Sequence, residues 1–215
     1  CKSLMLNTSK SKDSINRSLK CIFIIREFLP KDAHRPDGLD PYHMDYDDMY
    51  RQIELVGNGI KKLDQEVEVI IKPHPSNNYE SVAQSFGNSD IPKWQISHEP
   101  FYKIMPGVDF VISLYSTSLL LPIAFNLPTI ILDSKLQRHA NENWDQVKSL
   151  YTGFQFNLND NKDFTQCLQR VFTLIESREK NPTENSGNHD LKHLRFFYPD
   201  GSIDRGIDRL KFLLP

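Results

Sequence analysis

Lys72-Pro73-His74-Pro75 stops the β-branched run Val69-Ile70-Ile71 and fixes an imidazole between two prolines. Each proline pushes the residue before it towards extended geometry, so Lys72 and His74 are both restrained. Neither proline has an N–H, so the spacing predicts that the strand ends here. Imidazole changes protonation around neutrality and so offers one N–H donor or two. Held beside a phosphate, it would stabilise charge that develops on a departing group. The plainer alternative is a strand terminator with a surface histidine.

A second concentration of chemistry lies in the stretch 109–120, Asp-Phe-Val-Ile-Ser-Leu-Tyr-Ser-Thr-Ser-Leu-Leu. A buried strand runs into Ser113, Tyr115, Ser116, Thr117 and Ser118, and a helix is expected to follow over 116–126. Ser116 or Ser113 would cap it. The free N–H groups of a first helical turn, with hydroxyls beside them, suit a phosphate or a carboxylate. An ordinary capped helix is the alternative.

The elements that would position these groups alternate. Strands are expected at 21–30, 66–72, within 92–97, at 109–113 and 127–133, and in Gly153–Leu158. Between them, helical spacing occurs over 49–65, where Gly57 and Gly59 count against the middle of the helix. It recurs in Asn78–Asn88, in one or two turns over 99–107, in 141–152 and, most regularly, over 163–180. A last helix is expected at about 202–214, capped by Ser202 or Asp204. This alternation predicts one α/β domain: a doubly wound parallel sheet, Rossmann-like, over 21–215. Residues 1–20 are expected to be a linker left from an upstream domain. In such sheets ligands bind beyond the carboxyl ends of the strands, which is where both chemical stretches fall.

Composition narrows the partners. With 26 basic and 28 acidic residues among 215, the formal charge is −2. No global field would draw in nucleic acid. Cys1, Cys21 and Cys167 are odd in number and widely spaced, which fits neither a zinc site nor a disulfide framework and points to a reducing, cytoplasmic setting. No apolar run is long enough to span a membrane, and the start has no apolar signal-peptide core.

The Lys-Pro-His-Pro stretch, followed by the 109–132 stretch, resembles the nucleotide-binding, carboxyl-terminal half of GT-B glycosyltransferases. Those most alike are bacterial sialyltransferases and polysialyltransferases and capsule-polysaccharide transferases, with their HP and Ser/Ser-Thr motifs. The teichoic-acid glycerophosphotransferases have a similar layout. The resemblance spans about residues 20–180 and implies a nucleotide-sugar donor, CMP-sialic acid or a similar CMP-linked acid first. His74 would contact the donor phosphate and assist its departure. Lys72, Pro75, Ser113, Ser116, Thr117 and Ser118 would line the donor site, and Arg26 would lie near it. No metal and no cofactor are implied. A glycan acceptor and an amino-terminal half carrying the general base are implied partners, and the full-length protein would work in the cytoplasm or at the inner face of the membrane. The fragment alone is therefore expected to bind donor weakly and transfer nothing. A nucleotide-sugar 2-epimerase of the same fold and a non-catalytic sugar-nucleotide module are the alternatives.

Other residues carry two readings each. Glu99, in His98-Glu99-Pro100, could accept from a ribose or a cytosine amine, or simply start a helix. The acidic run Asp37, Asp40, Asp45, Asp47 and Asp48 lacks calcium-loop spacing and reads as a solvated loop. Asp133 could line the ligand edge, Arg138 and His139 could meet an acidic sugar, and Cys167 reads as core.

Overall fold

The computed structural model describes residues 17–28, 46–89, 91–114, 117–119, 122, 127–133, 154–157 and 164–180. Their strands are β1 (Leu19–Ile25), β2 (Val67–Pro73), β3 (Trp94–Ile96), β4 (Phe110–Leu114), β5 (Thr129–Asp133) and β6 (Phe154–Asn157). They form one sheet in the order β3-β2-β1-β4-β5-β6, and every pair is parallel. This is the doubly wound, Rossmann-like order, with its switch point between β1 and β4.

Both faces of the sheet are buried, which is why the strands read as unbroken apolar runs rather than alternating ones. On one face Cys21, Phe23, Val69, Ile71, Phe110, Ile112, Ile130 and Leu132 pack in one cluster with α1 (Tyr46–Lys61), α2 (Tyr79–Gly87) and the last described helix (Phe164–Lys180). On the other face Ile22, Ile24, Ile70, Val111 and Ile131 pack with Met105, Val108 and Leu119. The short helix α3 (Phe101–Ile104) lies on this second face, and the long helix Phe164–Lys180 is α4.

Several boundaries differ from those expected of the sequence. Leu19 and Lys20, expected to fall in a linker over 1–20, already pair with Val67 and Glu68 in β1, and residues 1–16 lie outside the described residues. Arg17 clamps this start. Its guanidinium donates to Asp109 Oδ1 at 2.6 Å and Oδ2 at 2.9 Å, and to Glu179 Oε1 at 2.8 Å. Asp109 in turn accepts the Lys20 N–H at 2.7 Å. Apolar periodicity cannot register such a polar lock, so the domain starts before its first apolar run.

Helix α1 passes straight through Gly57 and Gly59, both buried. Gly59 is required by close approach: a Cβ there would stand 2.6 Å from Phe164 Cδ1 and 3.2 Å from Leu168 Cδ1. Packing of α1 against α4 thus overrides helix propensity. Met49, Ile53, Val56 and Ile60 carry the buried stripe, and Asp47 and Asp48 sit favourably in the first turn. Two members of the acidic run are therefore helix-start residues. Asp37, Asp40 and Asp45 lie outside the described residues, as do Arg138, His139, the expected helix at 141–152 and that at 202–214.

Helix α2 starts where Asn78 Oδ1 accepts the N–H groups of Glu80 and Ser81, at 2.8 and 3.2 Å. No described helix is long and apolar enough to cross a membrane.

Candidate functional site

The carboxyl edge of the sheet gathers the exits of β1, β2, β3 and β4. Strand β2 outlasts its expected end at Lys72: Pro73 is in register with Ile25, and the His74 N–H donates to the Ile25 carbonyl at 2.9 Å. The ladder tolerates Pro73 because of the side its missing N–H would face. Val69 N–H donates to Lys93 O on the β3 side, so the same pattern four residues on would take position 73 to Ser97 O. Lys72 Nζ lies 3.5 Å from that carbonyl and donates to it instead. The ammonium of Lys72, expected to line a donor site, is thus drawn towards the exit of β3.

Beyond the strand the turn is tightly organised. The Asn77 N–H donates to the His74 carbonyl at 3.0 Å. The Asn77 side chain is only 6% exposed. Its Oδ1 accepts the Phe28 N–H at 3.2 Å and its Nδ2 donates to the Arg26 carbonyl at 2.9 Å. One buried amide therefore fastens the exit of β1 to the turn that carries His74. Arg26 stands half-buried at this exit, beside the switch point.

The imidazole of His74 is exposed, as is Pro75. Nδ1 is 2.6 Å from Ser76 Oγ and accepts the Ser76 N–H at 3.4 Å. Nε2 has no hydrogen-bond partner among the described residues. This leaves one ring nitrogen engaged by the protein and one open to a ligand.

At the exit of β3, Ser97 Oγ accepts the Glu99 N–H at 3.3 Å, and the exposed Glu99 carboxylate pairs with Lys103 at 3.2 Å. Glu99 does not cap α3: Pro100 is its N-cap and no side chain caps it. His98 packs on Tyr79, the first residue of α2, with ring centroids 4.2 Å apart.

Of the helix expected over 116–126, residues 117–119 and 122 are described, and Pro122 is α-helical. Thr117–Leu119 forms a 3-10 turn, with Leu119 fully buried in the second-face core and Ser118 exposed. Ser113, expected to line the donor site, stands inside the strand. It is 0% exposed, lies within β4 and donates its Oγ–H to the Leu114 carbonyl at 2.7 Å. A serine amid a fully buried strand turns its hydroxyl onto the backbone, which leaves no exposed surface on Ser113 in this structure. Ser116 lies outside the described residues, as does the side chain of Thr117.

Topology therefore brings His74, Arg26 and Ser118 to one sheet edge and buries Ser113 beneath it. The exits of β2 and β4 are separated by β1, so their backbones stand about 10 Å apart. A ligand lying across the end of β1 would meet all three loops. Ser76 and Asn77 were not singled out from sequence, though the signal was present: Pro-Ser-Asn-Asn is dense in residues that bond nearby backbone.

No family model and no curated protein matches the chain. Among solved structures it is similar to HAL3 from Cryptococcus neoformans, at 11% sequence identity and a TM-score of 0.41, over 74% of this chain and 98% of that one. The fold is read from the sheet order itself.

Proposed function

We propose that this chain is the donor-binding half of a GT-B glycosyltransferase that takes a nucleotide-activated sugar, a CMP-linked acidic sugar first. The observation that carries the reading is the exposed His74 ring at the carboxyl end of β2. Its Nδ1 is held by Ser76 and its Nε2 is open, on the sheet edge that the β4 exit also reaches. Imidazole Nε2 and the hydroxyls of the 116–118 loop would flank a phosphate spanning the end of β1. There they would neutralise charge on the departing nucleotide, an electrostatic contribution set up before the reaction begins. Acceptor and general base would come from the other half of the full-length protein, and juxtaposition of the two halves would supply much of the remaining rate.

A melting series with CMP, UMP, UDP and CDP-glycerol tests this. A ligand at 100 times its Kd adds about 2.7 kcal/mol to stability, which is about 5–10 °C for a chain of this size. CMP is expected to give the largest shift. A larger shift with UMP or UDP favours the 2-epimerase alternative, and no shift with any of the four favours a module without catalysis.

A further inference from the structure

We propose that Ser76 is a positioning residue that sets the tautomer of His74, so that the ring presents an Nε2–H donor to an anionic oxygen of the phosphate class. This deepens the reading above and rests on it for the identity of the ligand. The 2.6 Å contact between Ser76 Oγ and Nδ1 does not by itself say which atom carries the proton. The backbone N–H of the same residue favours one assignment. The Ser76 N–H can only donate, and it points at the same Nδ1 from 3.4 Å. With Nδ1 as the acceptor, both Ser76 groups approach it as donors, the hydroxyl at 2.6 Å and the N–H at 3.4 Å, and the proton of the neutral ring would sit on Nε2.

The rest of the turn makes this arrangement stiff. Pro75 restrains His74, the His74 N–H is bonded to Ile25, and the His74 carbonyl accepts from Asn77. The ring and Ser76 are thus held on one short, braced segment, and Nε2 is left without a partner among the described residues. The opposite tautomer would offer a lone pair to a phosphate oxygen, which repels it. For the neutral ring, the tautomer therefore sets whether Nε2 attracts or repels an anionic oxygen. The second-nearest nitrogen of such a ring is commonly set by the bond its partner nitrogen makes.

Nitrogen-15 spectra of the labelled chain read the tautomer directly and need no ligand. His74 is expected to be mainly the Nε2–H form. Ser76→Ala should move it towards a mixture, and Ser76→Thr, which keeps the hydroxyl, should restore it. CMP affinity, followed by titration of the same resonances, should fall by roughly two- to tenfold in Ser76→Ala and return in Ser76→Thr. The melting temperature, which a merely structural role would move, should stay nearly unchanged in both. A His74 ring protonated on Nδ1 in the natural chain, or a tautomer balance indifferent to Ser76→Ala, overturns the proposal. If the tautomer behaves as expected but neither CMP nor inorganic phosphate perturbs His74, the positioning role stands and the donor-binding reading fails.

Discussion

The buried side chain of Asn77 accepts the backbone N–H of Phe28 at 3.2 Å, across 49 residues of sequence. Its other end donates to the Arg26 carbonyl, so one side chain ties the exit of β1 to the turn after β2. Asn77→Ala would leave the Phe28 N–H, itself in a buried residue, and the Arg26 carbonyl without their partner. Stability should fall by about 1–3 kcal/mol. His74 amide hydrogen exchange should quicken more than that of β1, because the turn loses its brace. Equal exchange in both segments would mean that the amide merely fills space.

His74→Ala removes an exposed side chain, so the unliganded melting temperature should move by no more than about 1–2 °C. The melting shift produced by CMP should largely disappear. An undiminished CMP shift would take the imidazole out of the site.

Gly59→Ala sets two effects against each other. Alanine gains about 1 kcal/mol in helix propensity, but its Cβ would stand 2.6 Å from Phe164. Overpacking of this kind costs about 1–3 kcal/mol, so net destabilisation is expected in urea unfolding. Pairing it with Phe164→Leu should recover part of the loss.

At the opposite edge of the sheet, Asp109 should matter more than Arg17. The guanidinium side chain is 49% exposed and the carboxylate side chain 11%. An exposed ion pair contributes about 0–1 kcal/mol. Asp109 additionally holds the Lys20 N–H, so Asp109→Ala should cost about 1–3 kcal/mol. Arg17→Ala should cost less, and the reverse order in chemical denaturation would contradict this ranking.

Burial pushes the Cys167 thiol up from 9.0 to about 11. Cys21, fully buried in β1, is pushed up by the same cause. In the unfolded chain these thiols lose their protons near pH 9, while the folded chain keeps them. Between pH 9 and 11 the folded state therefore binds more protons, and stability must decline as pH rises. The thiol contribution is complete below pH 9 and is lost as pH climbs through 11. Urea unfolding at pH 8, 9 and 10 should show that decline, and Cys167→Ala should make it shallower.

Sheet and helices were legible because burial on both faces leaves a strong trace. Val69-Ile70-Ile71 and Phe110-Val111-Ile112 are continuous apolar runs, and Met49, Ile53, Val56 and Ile60 repeat at the helical period. Residue types also located the braced histidine at a strand end, since two prolines constrain a chain whatever surrounds it. Contacts between distant segments were decided only in three dimensions. Ser113 and Ser118 look equivalent in sequence, yet the inward direction of β4 buries the first and the turn at 117–119 exposes the second. The glycine in α1 read as a weakness until Phe164 arrived against it. The ring nitrogen that faces outward, the amide that ties β1 to β2 and the lysine drawn to Ser97 depend on hydrogen-bond directions. Sequence determines which groups exist and how stiff their own segment is. Only folding determines which atoms those groups meet, because a hydrogen bond needs a partner within about 3 Å and in line with it.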